Sequence, residues 1–195
     1  MERIDRGKSV PQLILLVVGG ALALMWLVEI VDTVVLDSRL QAHGIEPRQV
    51  DGLEGVLFAP LLHGGWTHII SNSIPFLVLG ALVMTYGLRR WITVTAVITV
   101  AGGLATWMMA RRGIHIGASI LVFGYFGFLL GVAWFERSMK SIGIAVAVAL
   151  LYGGLIWGVL PTNSGVSWEG HLFGVLAGFG AAYLTSRQTP EPSDT

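Results

Sequence analysis

The sequence predicts an all-α polytopic membrane protein, in which several apolar helices cross a lipid bilayer. Hydrophobic residues make up 54% of the 195 positions and charged residues only 12%, which is far from the composition of a soluble domain. The mean hydropathy is +0.72. The chain also contains 26 glycines, a residue that allows membrane helices to pack closely.

Six apolar runs are long enough to cross the hydrocarbon core, which requires about 20 predominantly apolar residues. The predicted spans cover residues 10–34, 68–86, 91–110, 119–135, 142–160 and 170–184. The basic residues before the first run also suit a signal peptide, but this run is too long and lacks a small-residue cleavage site. We therefore predict a six-helix membrane domain over residues 10–186.

The segments outside the spans differ in character. Residues 1–9 are predicted as a cytoplasmic N-terminus. Residues 37–67 form a long first loop whose charged side chains cannot lie in lipid, and its apolar stretches predict short interfacial helices. Residues 187–195 are rich in Pro, Ser and acidic residues, so we expect a disordered tail.

The distribution of basic residues predicts that both chain ends lie in the cytoplasm. This orientation places eight of the twelve Lys and Arg residues inside, which are Arg3, Arg6, Lys8, Arg89, Arg90, Arg137, Lys140 and Arg187. Arg39, Arg48, Arg111 and Arg112 would lie outside.

Composition also excludes several classes of function. The formal charge is zero and the pI is near 7.0, so nothing indicates a nucleic-acid partner. The absence of cysteine excludes disulfides, thiolate metal sites and a cysteine nucleophile. His43 and His115 are interpreted as loop histidines, because no set of metal ligands surrounds them. We therefore expect no metal and no cofactor, and no feature indicates an oligomeric state.

Four polar residues stand out in the apolar spans, where an unpaired polar side chain costs free energy. They are His68, Asn72, Ser119 and His171. Each lies near the end of its span that the predicted topology places on the outer side. His68 and Asn72 are spaced i,i+4, so they share one helix face. We therefore expect the four side chains to converge.

These residue types suit nucleophilic catalysis. A neutral histidine such as His171 can take the proton of a serine hydroxyl such as Ser119 and make it a nucleophile. Donors from His68, Asn72 and the Ser119 backbone N–H could stabilise an oxyanion. The glycines of spans four and six, Gly124, Gly127, Gly131, Gly174 and Gly178, predict close packing of these two helices. Gly170 leaves room immediately before the histidine.

Other interpretations exist for the same residues. Ser119 also suits a helix cap, and the histidines and Asn72 suit interhelical hydrogen bonds without chemistry. A small transporter could use such a polar cluster for a proton or solute. The spans lack a mid-membrane carboxylate and an internal repeat, which argues against transport.

Three motifs in their order resemble the rhomboid family of intramembrane serine proteases. An H-x-x-x-N motif covers His68 to Asn72, and a G-x-S motif ends at Ser119 and begins at Gly117. An H-x-x-G-x-x-x-G motif starts at His171 and includes Gly174 and Gly178. The resemblance covers residues 10 to 185 and points to a bacterial member.

The resemblance implies a six-helix rhomboid-like bundle in the bacterial plasma membrane. Ser119 would be the nucleophile and His171 the general base and acid, with His68 and Asn72 as oxyanion donors. Phe123 would pack beside the imidazole, and His63 would make a structural hydrogen bond. Substrates would be transmembrane proteins, cut in or near their membrane segments.

One departure leaves a further alternative open. Ile120 stands where many members carry a second glycine, which would narrow the site or alter substrate fit. An inactive relative that binds transmembrane helices without cutting them is therefore a second interpretation. Substrate access is expected to involve span five, with Gly153, Gly154 and Gly158, and the loop 161–165.

Overall fold

The computed structural model describes residues 8–161 and 165–187, which form a helical bundle. The long helices are α1 (Val10–Val34), α2 (Trp66–Met84), α3 (Leu88–Met109), α4 (Ser119–Glu136), α5 (Met139–Val159) and α6 (Trp168–Ser186). The predicted termini, residues 1–9 and 187–195, lie largely outside the described residues, as do residues 162–164 of the expected access loop.

Five of these helices, α1 to α5, are long and apolar enough to cross a membrane. They coincide with the first five predicted spans to within a few residues at either end. The helix α6 contains 19 residues, but Glu169 and His171 in its first turn lower its hydropathy. Five candidate membrane spans are thus confirmed among the described residues, whereas the count of six stays a prediction.

Three of the long helices change their winding along their length. The helix α1 includes a π-helical segment at Ile14–Gly19, and α3 includes another at Ile98–Gly102. The helix α5 is α-helical over Met139–Tyr152 and continues as a 3₁₀ helix over Gly153–Val159. This tighter end of α5 is important because it reaches the candidate site.

The first loop is ordered and folds onto the bundle through short helical turns. They cover Arg39–His43, Asp51–Leu53, Gly55–Phe58 and Ala59–Leu61. Ile45 pairs with His115 in an isolated antiparallel bridge. Arg48 donates to the carbonyls of Met108 and Ala110 at the end of α3, at 3.2 and 2.8 Å. The loop is therefore fixed to the segment between α3 and α4.

The helix α4 forms the centre of the bundle. Of its 18 residues, 67% are buried inside the protein, the largest share among the candidate spans. Its core side chains Tyr125, Phe128 and Leu129 are fully buried. The helix α6 packs along it at very short range, because glycines on both helices let the backbones touch. This contact fixes the first turns of α4 and α6 relative to one another.

Charged and polar groups also meet at the opposite end of the bundle from the first turns of α4 and α6. Arg90 forms an ion pair with Glu136 at 2.8 Å and donates to the Thr185 carbonyl at 3.1 Å. Lys140 donates to the Thr85 carbonyl at 2.8 Å. These three interactions join neighbouring segments of the bundle. They lie at the end that the distribution of basic residues predicts to be cytoplasmic.

Candidate active site

The four polar residues singled out in the sequence line one cavity of about 670 Å³. His68 and Asn72 reach it from α2, Ser119 from the start of α4 and His171 from the first turn of α6. Thr67, Ser71 and Ser167 add hydroxyl groups to its wall. The cavity is therefore large enough for many water molecules, and it brings polar side chains together at one end of an apolar bundle.

The imidazole of His171 is held on two sides. Its Nδ1 lies 2.9 Å from the carbonyl oxygen of Gly158, in the 3₁₀ end of α5. A carbonyl can only accept, so Nδ1 carries the proton and Nε2 of the neutral ring has a free lone pair. The ring of Phe123 stacks on the imidazole, with centroids 3.9 Å apart and planes 7° from parallel. This arrangement leaves Nε2 of His171 able to accept a proton.

His68 holds the opposite tautomer. The backbone N–H of Gly64 donates to its Nδ1 at 3.2 Å, so in the neutral ring the proton lies on Nε2. This nitrogen faces the turn before α4, where a Cβ added to Gly117 would be only 2.6 Å away. His68 therefore presents a donor close to Ser119, whereas His171 presents an acceptor.

Asn72 lies one turn beyond His68 on the same face of α2. Its side chain is buried, and among the described residues its amide Nδ2 has no hydrogen-bond partner. An unpaired buried donor costs free energy, so it is expected where a ligand or transition state supplies the missing acceptor. The Nδ2 would lie 3.5 Å from a Cβ on Gly117.

Ser119 is the first residue of α4, so its backbone N–H has no acceptor within the helix and lies at the positive end of the helix dipole. Gly117 before it has φ +119°, a conformation that favours glycine. Within the described part of the chain, the Ser119 hydroxyl makes no hydrogen bond to His171. The two groups share the cavity without a direct hydrogen bond between them.

His63 supports the turn that carries Ser119. It is buried, and its Nε2 accepts from the Ala118 backbone N–H at 3.2 Å. Its ring also meets that of His68 edge-on, with centroids 5.1 Å apart. Burial lowers the pKa of His63 to about 4, and the neighbouring His68 adds to this. His63 thus stays neutral and keeps its acceptor at ordinary pH.

Glycines in α4 and α6 bring the two first turns together. A Cβ on Gly174 would lie 2.5 Å from the Ile120 carbonyl oxygen, and one on Gly127 would lie 2.3 Å from that of Val175. Gly170 was expected to leave room for His171, but a Cβ on Gly170 would instead lie 2.8 Å from the Ser167 hydroxyl. Its small size serves the cap of α6 rather than the approach of His171.

The segment between α3 and α4 is tied to the start of α6, a connection that sequence reasoning missed. The Arg111 backbone N–H donates to Oε1 of buried Glu169 at 3.1 Å, and the Arg111 guanidinium pairs with the same carboxylate. His115 Nε2 donates to the Arg111 carbonyl at 3.0 Å, so its Nδ1 accepts from the Ser167 hydroxyl at 2.6 Å. His115 is thus a structural bridge.

Ile120 lies beside the site without narrowing the large cavity. Its side chain is buried and points toward Gly102 of α3, where its Cδ1 would lie 3.3 Å from an added Cβ. It also lines a separate small cavity with Thr106 and Ser167. The structure therefore directs this residue away from the space between Ser119 and His171.

The described residues hold no group of three or more His, Asp or Glu side chains that could bind a metal ion. The four predicted side chains bring a hydroxyl, two imidazoles and an amide to this cavity. Such a set can transfer protons and stabilise an anion.

Comparison with known proteins places this chain in a family. A sequence model of the Rhomboid domain matches residues 51–188. An uncharacterized protein of Mycobacterium tuberculosis is 46% identical over 184 residues, which cover 87% of this chain and 76% of that protein. A Bacillus subtilis protein provisionally named a rhomboid protease is 32% identical over 132 residues, covering 64% of this chain and 63% of that protein.

A plant protein is also similar. RHOMBOID-like protein 4 of Arabidopsis thaliana is 31% identical over 136 residues, which cover 67% of this chain and 34% of that protein. The matched region includes α2 to α6 and all the residues that line the cavity. The domain match and the apolar helices together lead to one conclusion: this chain is a multi-pass integral membrane protein that belongs to the rhomboid family.

Proposed function

We propose that the chain is an intramembrane serine protease that hydrolyses peptide bonds in or beside the transmembrane segments of other proteins. The observation that carries this proposal is the pair of opposite tautomers at one cavity. Their hydrogen bonds assign an unprotonated Nε2 to His171 and a protonated Nε2 to His68, and both rings line the cavity that the serine at the start of α4 also lines. Serine-based acyl transfer needs a base, a donor and a nucleophile in this arrangement.

In the proposed first step, Ser119 Oγ attacks the carbonyl carbon of the scissile peptide bond. His171 Nε2 takes the hydroxyl proton as the new C–O bond forms. The present absence of a direct hydrogen bond requires a change of the Ser119 rotamer on substrate binding. Catalytic hydrogen bonds commonly tighten only when substrate is bound.

The carbonyl oxygen of the substrate becomes an oxyanion in this step. Three donors are available near Gly117: His68 Nε2–H, Asn72 Nδ2–H and the Ser119 backbone N–H. The Asn72 amide supports this role, because no described protein group accepts from its Nδ2, which leaves this donor available to the oxyanion. Each such donor is expected to contribute about 3 kcal/mol to transition-state stabilisation.

Collapse of the tetrahedral intermediate breaks the C–N bond, and protonated His171 gives its proton to the leaving amine. Water then attacks the acyl-enzyme ester, with His171 again as base, and releases the carboxylic acid product. The cavity is wide enough for this water, and its hydroxyl-lined wall provides hydrogen-bond partners. No metal or cofactor takes part in the proposed reaction.

The substrate class follows from the location of the cavity in a membrane bundle. Members of the family act on transmembrane proteins, so we propose the same for this chain. A substrate helix must unwind locally to expose a peptide bond, because its carbonyls are otherwise bonded within the helix. Small or helix-weakening residues near the cleavage point are therefore expected.

The proposal is tested by cleavage of a panel of single-span proteins with purified protein in liposomes. The wild type should cut at least one of them, whereas Ser119→Ala and His171→Ala should not. Ser71→Ala is the matched control, because Ser71 lines the same cavity from α2 and has no proposed role. It should cut at the wild-type rate.

Two outcomes contradict the proposal. Continued cleavage by folded Ser119→Ala would show that another group is the nucleophile. A folded wild type that binds members of the panel but cuts none would instead indicate a rhomboid-like protein that recognises transmembrane helices without hydrolysis.

A further inference from the structure

We propose that the backbone carbonyl of Gly158, in α5, is the group that orients His171 for catalysis. This inference rests on the proposed function and adds a positioning element to the serine and histidine. In a Ser-His-Asp triad, a carboxylate holds the imidazole in the correct tautomer. Here an uncharged carbonyl on a neighbouring helix does so.

The first support is the hydrogen bond itself. The Gly158 carbonyl oxygen lies 2.9 Å from His171 Nδ1, which fixes the proton on Nδ1 and leaves Nε2 free. Without this acceptor the neutral ring could exchange tautomers, and a proton on Nε2 would prevent it from accepting the Ser119 proton.

The second support is the requirement for glycine at position 158. A Cβ there would lie 2.6 Å from Cζ of Phe123 and 3.3 Å from Nδ1 of His171. Only a residue without a side chain lets the α5 backbone reach the ring edge while Phe123 covers its face. Gly153 and Gly154 in the same 3₁₀ segment meet nothing within 4 Å, so glycine is needed for space at Gly158 alone among the three.

The third support concerns the helix that supplies the carbonyl. In the most apolar 18 residues of α5, only 6% of the residues are buried inside the protein. The corresponding fraction is 17–67% in the other four candidate spans. The orienting group therefore sits on the span that is held least by the protein. Displacement of the 3₁₀ end of α5 would break this hydrogen bond. The tautomer of His171 that can accept the Ser119 proton is therefore fixed only while this end of α5 packs against the imidazole.

The test reads the tautomer of His171 directly by ¹⁵N NMR of histidine-labelled protein in micelles, without substrate. The His171 signals are identified by their loss in His171→Gln. Wild type should show a protonated Nδ1 and an unprotonated Nε2. A wild-type His171 with its proton on Nε2 would overturn the inference, whether or not the protein cuts substrates.

Two perturbations of the carbonyl complete the test. Replacing Val159 by its α-hydroxy acid turns the 158–159 linkage into an ester, whose carbonyl is a weaker acceptor and which adds no atoms to the site. The expected result is a mixture of tautomers and a kcat lowered by about ten-fold with KM unchanged. The same ester at the 153–154 linkage is the control and should change neither.

Gly158→Ala should move the carbonyl away from the ring and give the same change in tautomer with a larger loss of kcat. Gly143→Ala, in the same helix with open space around it and without an expected role in substrate access, should behave as wild type. The inference is wrong if the 158–159 ester leaves both the tautomer and kcat unchanged. Failure of the proposed function would appear separately, as wild type that cuts nothing while His171 retains a protonated Nδ1.

Discussion

Gly124 of α4 and Gly178 of α6 touch through their backbones: a Cβ on Gly178 would lie 1.8 Å from the Gly124 carbonyl oxygen. Gly178→Ala should therefore push the helices apart and destabilise the fold by about 3 kcal/mol or more, because the blocking atoms are backbone. Reversible unfolding in mixed micelles measures this change.

The matched control for this change lies on the same helix. Gly180 of α6 has nothing within 4 Å of an added Cβ, so Gly180→Ala should be neutral or slightly stabilising. Equal stability of the two variants would show that α4 and α6 do not pack as described.

His63 makes stability depend on pH. Its pKa is lowered to about 4 by burial, from 6.5 in the unfolded chain, so folding favours the neutral ring. Its contribution is complete above pH 6.5 and is lost as the pH falls toward 4, because the unfolded chain then binds the proton more readily. The loss should reach about 3 kcal/mol.

The check on this prediction compares wild type with His63→Gln, which keeps an acceptor for the Ala118 N–H and does not titrate. The free energy of unfolding of the two proteins should diverge between pH 6.5 and 4. Parallel curves over that range would contradict the role of His63.

Ser167 caps α6 and connects it to the preceding loop. Its hydroxyl accepts from the Gly170 N–H at 3.3 Å and donates to His115 at 2.6 Å. Ser167→Ala should cost about 1 kcal/mol of stability and also lower the cleavage rate, because the turn carrying His171 loses both restraints. Thermal unfolding and cleavage in the same micelles measure the two effects.

A second helix cap provides the comparison. Ser138 caps α5 at the other end of the bundle by accepting from the Ser141 N–H at 3.1 Å. Ser138→Ala should lose similar stability without loss of rate at a temperature where both variants are folded. If both variants lose activity equally, the link between Ser167 and the site is not specific.

The orientation of the chain can be tested because the sequence has no cysteine. Arg112 precedes α4 near the cavity and Arg137 follows it at the opposite end, and both are exposed. With both chain ends cytoplasmic, Arg112→Cys should react with a membrane-impermeant maleimide in intact cells and Arg137→Cys only after lysis. Labelling of Arg137→Cys in intact cells, and of Arg112→Cys only after lysis, would show that the chain has the opposite orientation.

Much of this arrangement could be predicted because it depends on local pattern. The hydropathy pattern predicts the five candidate spans that the structure contains, and the i,i+4 spacing of His68 and Asn72 predicts that they share one helix face. The resemblance suggested Phe123 beside the imidazole, and the structure places it there. Glycine spacing predicted the close contact of α4 and α6.

The remaining features depend on contacts between distant segments. A backbone carbonyl has no sequence signature, so the sequence indicates Gly158 only as one of the span-five glycines expected in substrate access. His115 was interpreted as a loop histidine, because its partners Ser167 and the Arg111 carbonyl come together only in the folded chain. The direction of the Ile120 side chain likewise follows from how α4 packs on α3.

The most direct test of the account is covalent labelling by a serine-directed fluorophosphonate, followed by mass-spectrometric mapping of the modified residue. Wild type should be labelled at Ser119 alone, and His171→Ala should slow labelling by at least about a hundred-fold. Ser71→Ala should be labelled as fast as wild type. Labelling at another serine, or equal rates in wild type and His171→Ala, would contradict the assignment of Ser119 as a nucleophile activated by His171.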